Sequence, residues 1–368
     1  MKILHLLYES EGDYFGIGGV GIRAYQIYGY LKERHDITLV CRKYPGAEDG
    51  EREGLLHRFV GTESRSLTRA LLSYASHAAR FVRRHGNDYD VLIEEFSPAI
   101  PTFLHAVTRK PVVLQVQGYT GRLYFRKYNP LYASILYALE SLRPRWYDHF
   151  IFVNNETARK FRVESKKHSR IVPNGVAPEL LNVPQDEEEY ILYLGRIDIF
   201  GKGLDILINA YKELHKEFPG IRLVIAGDGR DRETFRTELM ALPEETRKGI
   251  ELLGWISGDV KSETIRKALC AVFPSRHEVQ PLAALEAMAC GKPVIVSDIP
   301  GFDFVRDAKA GMLFRTGDSR SLAQSMREMV THSERQKLGR RGREWVKDVT
   351  WDRIALRFEE FLSEVVRK

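Results

Sequence analysis

Two carboxylates eight positions apart, Glu278 and Glu286, flank a helix start in the stretch Phe273 to Ile299, FPSRHEVQPLAALEAMACGKPVIVSDI. The free N–H groups of a first helical turn, helped by the helix dipole, form an anion site. Pro281 has no N–H, so the expected donors lie near Gln280, Leu282 and Ala283. A carboxylate one turn further in, Glu286, can accept two hydrogen bonds from a vicinal diol such as a ribose. An anion beside a diol is half of a nucleotide. The alternative is that Glu286 faces solvent. Its neighbours, LAAL before and AMAC after, suggest a buried helix, where a lone Glu needs a partner.

A second pair of groups fits the same ligand. Tyr190 to Leu194 reads as a strand ending at Gly195-Arg196, and the next helix starts near Gly203 with Lys202 just before it. Cations at a strand end and at the following helix start can meet a diphosphate lying over the strand ends. Arg binds it bidentately and Lys as a point charge. A solvated surface pair is the alternative.

The elements that must position these groups are legible around them. A strand ends at Ala271 to Phe273, breaks at Pro274 and passes through a polar loop. A helix then runs from Pro281 to Gly291, followed by the apolar strand Pro293 to Asp298. Pro at the first helical position and Gly just past the end are the expected punctuation. Further strands are expected at residues 2–8, Ile37 to Cys41, Val91 to Glu94, Pro111 to Val116 and His149 to Val153. Others follow at Arg222 to Ala226, Ile250 to Leu253 and Gly311 to Phe314. Short apolar strands alternating with helices predict an α/β chain with parallel sheets.

Glu278 and Glu286 match the E-x7-E signature of the GT-B glycosyltransferases of family 4, and LEAMACGKPVIVSDIPG resembles that family closely. GRIDIFGKGLDILINA (195–210) is similar to its Gly-Arg and Lys-Gly phosphate motif, and Pro173-Asn174-Gly175-Val176 to the junction that opens its second domain. The resemblance implies two Rossmann-like domains facing across a cleft. They would be an acceptor-side domain over 1–170, with helix 350–368 packing back on it, and a nucleotide-sugar-binding domain over 171–349. It implies transfer of a sugar from a UDP- or GDP-sugar to a glycan, lipid-linked or other small acceptor, with retention of anomeric configuration. Arg196 and Lys202 would stabilise the departing diphosphate, Glu278 would hold sugar hydroxyls and Glu286 the ribose. In principle no metal and no separate cofactor is then required.

Two departures stand out. Where members often read E-G-F-G, this chain has Glu278-Val279-Gln280-Pro281, which bears on donor-sugar preference. Relatives commonly carry His at the position of Gln117, a catalytic candidate after the strand Pro111 to Val116. Gln can hydrogen-bond but cannot take a proton at neutral pH. This opens an alternative, a non-catalytic nucleotide-sugar-binding partner subunit of a glycosyltransferase complex.

Gly16, Gly18 and Gly21 spell G-x-G-x-x-G, but Glu9 to Phe15 separate them from the first strand. The second strand ends in Arg42-Lys43 where a dinucleotide fold needs an acid, so the NAD reading loses. In family 4 the corresponding loop, here including Gly18 and Gly19, lines the cleft facing donor phosphates and acceptor.

At 368 residues, 43% hydrophobic and 29% charged, the chain is an ordinary globular protein of two-domain length. No run of eighteen apolar residues occurs, and MKILHLLYESEGD reads as a first strand rather than a leader. Cys41, Cys270 and Cys290 are expected as buried free thiols, and no Cys/His spacing suits a metal. Thiols kept reduced fit a reducing compartment, and a cytoplasmic location is the expectation.

The net charge of +6 is concentrated in the first half: five Arg and no acid from Ser64 to His85, and seven Lys or Arg against Glu140 from Arg109 to Arg145. A nucleic-acid partner would rest on this charge alone, with no binding motif beside it; it ranks far below the other readings and none is expected. Arg122, Arg126 and Lys127 interleave with Tyr124, Phe125 and Tyr128 before a nearly all-apolar helix, Leu131 to Leu142. This reads either as a surface for an anionic inner membrane face or a lipid-linked acceptor, or as a core helix with a solvated basic rim.

Overall fold

The computed structural model describes residues 1–12, 17–161, 167–184 and 186–367. Gly16 of the glycine fingerprint lies outside them. The chain divides into two compact units, Met1–Asn174 with Trp351–Lys368, and Gly175–Thr350.

In the first unit the strands are β1 (Lys2–Leu6), β2 (Asp36–Arg42), β3 (Gly50–Arg52), β4 (Leu55–Val60), β5 (Val91–Glu95), β6 (Val112–Val116), β7 (His149–Phe152) and β8 (His168–Ile171). They form one sheet in the order β3-β4-β2-β1-β5-β6-β7-β8. Among the described residues every pairing is parallel except β3 with β4. The central strands are buried on both faces, which is why they read as continuous apolar runs without alternation. Ile3 pairs with Ile37 on one side and Val91 on the other. The strand order therefore reverses between β1 and β5, and a crevice opens where their carboxyl ends part.

The helix Trp351–Arg367 completes this unit. Ile354, Ala355, Phe358, Phe361, Leu362 and Val365 make its buried stripe, the i, i+3/i+4 pattern of an amphipathic helix. Phe358 meets the ring of Tyr28 edge-on at 6.0 Å, on the helix Gly19–Leu31. Glu359 accepts from Arg34 (2.8 Å) and His35 (2.7 Å). The fully buried Arg23 donates to the carbonyls of Val172 and Pro173 (both 2.7 Å) and to Asn174 Oδ1 (3.0 Å). It clamps the segment by which the chain leaves the unit.

In the second unit β9 (Tyr190–Leu194), β10 (Arg222–Ala226), β11 (Ile250–Gly254), β12 (Cys270–Phe273), β13 (Val294–Ser297) and β14 (Gly311–Phe314) form a parallel sheet in the order β11-β10-β9-β12-β13-β14. Ile191 of β9 pairs with Leu223 and with Cys270, so the reversal falls between β9 and β12. The helix after β12 spans Leu282–Ala289, with Pro281 as its cap rather than its first residue. Pro281 is extended (ψ 126°) and so stands outside the first turn. The three cysteines are buried and none is in a disulfide.

Lys292 is buried at the opposite end of β13, its Nζ 3.6 Å from Glu187 Oε1 and with no hydrogen-bond acceptor among the described residues. Burial holds its pKa below the ordinary lysine value, against the pull of Glu187. Between that lowered value and the unfolded value of about 10.4 the unfolded lysine binds more protons, so this residue's contribution to stability rises with pH across the window. The buried Cys270 and Cys290 thiols, pushed up to about 12, pull the other way, so the difference between two proteins carries the test: the change in urea-unfolding free energy from about pH 8 to about pH 10 is expected to be more positive in the native chain than in Lys292→Met. An unchanged slope in the variant would show that Lys292 stays charged in the fold.

Candidate active site

The crevice between β9 and β12 gathers the predicted groups of the second unit. After β9 the chain runs Gly195-Arg196 into a loop that ends at the helix Leu204–Glu217; after β12 it runs Pro274 to Pro281. The two loops are locked together by backbone. Gly203 has φ 70°, open to glycine, and a Cβ there would stand 2.0 Å from the Pro274 carbonyl oxygen. Gly301 packs equally closely on the Glu278 carbonyl oxygen, 2.3 Å from where its Cβ would be. The Arg276 amide donates to the Gly201 carbonyl (3.1 Å), and its guanidinium clasps both carboxylate oxygens of Asp205 (2.8 and 2.6 Å) over the Phe200 ring. Pairing with Asp205 raises the Arg276 pKa further.

This scaffold brings Lys202 and Glu278 together. Lys202 Nζ lies 2.5 Å from Glu278 Oε1, and the Ser275 hydroxyl donates to the same oxygen at 2.8 Å. Both side chains are partly exposed. Two residues predicted for different parts of one ligand therefore hold each other here. Glu286 is likewise engaged: Lys261, on the helix Gly258–Lys267, places Nζ 2.6 Å from Glu286 Oε1. Arg196 is exposed at the strand end, and its carbonyl accepts from the Tyr193 hydroxyl (2.7 Å). Burial, then Glu278 and Asp198, push the Tyr193 phenol well above its usual pKa, so it stays a donor.

The amides of Leu282, Ala283 and Ala284 precede the first helical hydrogen bond, which Leu285 makes to the Pro281 carbonyl (3.4 Å). Leu282 and Ala283 are partly exposed and Gln280 is nearly buried. The second unit thus offers a diphosphate two lysines, an arginine and a helix start, beside two carboxylates.

In the first unit the glycine loop is occupied by the protein itself. Glu9 Oε2 accepts from the amides of Gly18 (2.9 Å) and Gly21 (2.8 Å) at the start of the helix Gly19–Leu31. A side chain at Gly18 would meet that carboxylate at 2.8 Å, whereas Gly19 faces open space. The helix start, the natural phosphate seat of a dinucleotide fold, is neutralised by this built-in anion.

Gln117 donates to both oxygens of Glu95 (3.1 and 3.0 Å), as does Gln115 to one (2.5 Å). His5 Nε2 stands 3.2 Å from Glu95, and its Nδ1 stands 2.8 Å from the Tyr28 hydroxyl. The loop after Gln117 is fixed by Glu140, which accepts from the amides of Thr120 (2.8 Å) and Gly121 (2.6 Å); burial raises its carboxyl pKa against these bonds. Among the described residues no three His, Cys, Asp or Glu side chains gather as metal ligands.

Glu9, Glu95, Lys261 and Ser275 were not singled out from the sequence. The signal for Glu95 was present: two adjacent acids inside an apolar strand must face opposite sides, each needing its own partner. The partner of Glu286 lies 25 positions away on another helix, and no local spacing marks it.

The family model for glycosyl transferases group 1 matches residues 182–345, and that for glycosyltransferase family 4 matches residues 17–180. An uncharacterised glycosyltransferase of Methanocaldococcus jannaschii is 28% identical over 59% of this chain and 60% of its own length. The phosphatidyl-myo-inositol mannosyltransferase of Mycobacterium leprae is 29% identical over 79% of this chain and 77% of its own. In fold, the chain is similar to the sucrose-phosphate synthase of Thermosynechococcus elongatus, with a TM-score of 0.79 and 19% identity over 100% of this chain and 99% of that one. With both family models matched in series and two parallel-sheet units of this topology, the chain belongs to the GT-B glycosyltransferases of family 4, group 1.

Proposed function

We propose that this chain transfers a sugar, with retention of anomeric configuration, from a UDP- or GDP-sugar to a glycan, lipid-linked or other small acceptor. The observation that carries this reading is the Lys202–Glu278 pair at the strand-order reversal, beside a helix start and Glu286. On donor binding Lys202 turns from Glu278 to the diphosphate, and Glu278 accepts from sugar hydroxyls in exchange. Glu286 similarly exchanges Lys261 for the ribose diol. As the bond between the anomeric carbon and the diphosphate oxygen breaks, its electron pair stays on that oxygen. Lys202, Arg196 and the amides near Leu282 and Ala283 stabilise the growing charge. The acceptor oxygen bonds to the anomeric carbon and loses its proton to the departing phosphate. Gln117, held by Glu95, serves as a hydrogen-bonding group, since an amide does not titrate at neutral pH.

Thermal-shift measurements with UDP-, GDP- and ADP-sugars test the donor site. A hundredfold excess over Kd is expected to raise the melting temperature by about 5–10 °C for one base only. Glu286→Ala removes two charge-assisted bonds and is expected to weaken that donor about 10–100-fold. No shift with any donor overturns the nucleotide-sugar reading. A shift without nucleotide release in the presence of acceptors leaves the non-catalytic alternative in its place.

A further inference from the structure

The helix Pro130–Leu142 has an unpartnered apolar face. Asn129 caps it, its side chain accepting from the Tyr132 amide (3.0 Å), and Pro130 fills the first position. Its inner face, Ala133, Leu136 and Glu140, is buried. Opposite it, Leu131, Ile135, Ala138 and Leu142 recur at i, i+4, i+7 and i+11, one stripe at helical spacing. Leu131 is 75% exposed, Ile135 49% and Leu142 45%. The preceding short helix, Tyr124–Lys127, adds the exposed rings of Phe125 and, just after it, Tyr128. Of the two readings of this segment, the core helix holds for one side only; the other side is an exposed apolar stripe.

Along the segment Gly118 to Tyr147 the exposed charges have one sign. Arg122, Arg126, Lys127 and Arg145 are exposed, and the single acid between Gly118 and Tyr147 is Glu140, turned inward onto the Thr120 and Gly121 amides. An apolar ridge flanked by uncompensated cations and aromatic rings matches the interface of an anionic bilayer, acyl region to ridge and head groups to cations. No helix among the described residues is long and apolar enough to cross a membrane, so the contact lies in the membrane plane.

We propose that this face of the first unit docks on anionic lipid surfaces, its occupant being the bilayer itself. The contact does not depend on the donor-site reading, because none of these residues belongs to that site. Co-sedimentation with vesicles of mixed phosphatidylglycerol and phosphatidylcholine, against pure phosphatidylcholine, tests it. The native chain is expected to pellet with the anionic vesicles and to stay in solution with the neutral ones. Arg126→Glu with Lys127→Glu reverses two cations and is expected to lower anionic partitioning at least tenfold, each lost cation counting for about fivefold. Leu131→Ser with Ile135→Ser is expected to lower it comparably by removing the ridge. All four positions are exposed, so the melting temperature and its donor-induced shift serve as folding controls and are expected to match the native chain. Equal binding to both vesicle types, or anionic binding unchanged in both variants, overturns the proposal. So does a serine variant that converts a dimer into a monomer without loss of vesicle binding, which would assign the ridge to a second copy of the chain.

Discussion

Lys202→Ala is expected to lower kcat for sugar transfer by about 10²–10³-fold, the usual cost of removing one preorganised group aimed at developing charge. The charge on the leaving diphosphate is greatest when the glycosidic bond is nearly broken, so a cation placed there stabilises the transition state more than the bound donor. The loss is therefore expected mainly in kcat, with a smaller rise in the donor KM. The position of the ammonium is set by a rigid frame: Gly203 and Pro274 in backbone contact, and Arg276 locked to Asp205 across the same two loops. Lys202→Arg keeps the charge but changes its shape and reach, and it is expected to recover only part of the activity. Steady-state kinetics on the three proteins check this. Equal kcat in all three would show that Lys202 holds Glu278 in place and does nothing to the diphosphate.

The second large effect concerns stability. Glu94 and Arg143 form an almost fully buried ion pair in the first unit, with the Thr102 hydroxyl on the same carboxylate oxygen and Tyr147 donating to the other at 2.6 Å. Arg143 also donates to the carbonyls of Ser97 and Ile100 (both 2.9 Å) and lies over the ring of Phe96. Removing the acid strands a guanidinium away from water, and Glu94→Ala is expected to cost about 3–5 kcal/mol of unfolding free energy. Arg143→Met should cost a similar amount, because the carboxylate is then the stranded charge. The double variant is expected to lose clearly less than the sum, since neither charge then remains. Urea titrations of the four proteins measure this coupling. Simple additivity would mean that the pair contributes through its separate contacts with Tyr147 and the loop carbonyls.

Much of the candidate site's local structure was legible because it is written locally. Proline and glycine punctuate the helix close to where it stands; Arg196 follows the strand end, Lys202 precedes a helix start, Glu278 lies in the loop and Glu286 within the helix, as expected of them. What escaped was set by tertiary contact. Spacing could not show that Glu9 fills the glycine-loop amides, because that depends on how the chain turns between residues 9 and 18. The helix Pro130–Leu142 read two ways for a different reason. Two opposite apolar stripes add up to a helix that looks apolar all round, which is the pattern of a core helix. Glu140 was the mark of its inner face: a lone acid on an apolar helix is either solvated or satisfied by buried donors, and here Thr120 and Gly121 supply them.

The connectivity of the first unit has a consequence for synthesis on the ribosome. Its sheet is complete by Ile171, yet the helix that covers one of its faces is made of residues 351–367, after the whole of the second unit. Contacts such as Arg34 with Glu359 join positions 325 apart in the chain. The second unit is a continuous segment and can fold as soon as it emerges, whereas the first must wait with the seat of Phe358 and Phe361 uncovered. The unit that is translated first is thus the last to be finished, and chaperone demand during translation falls on it.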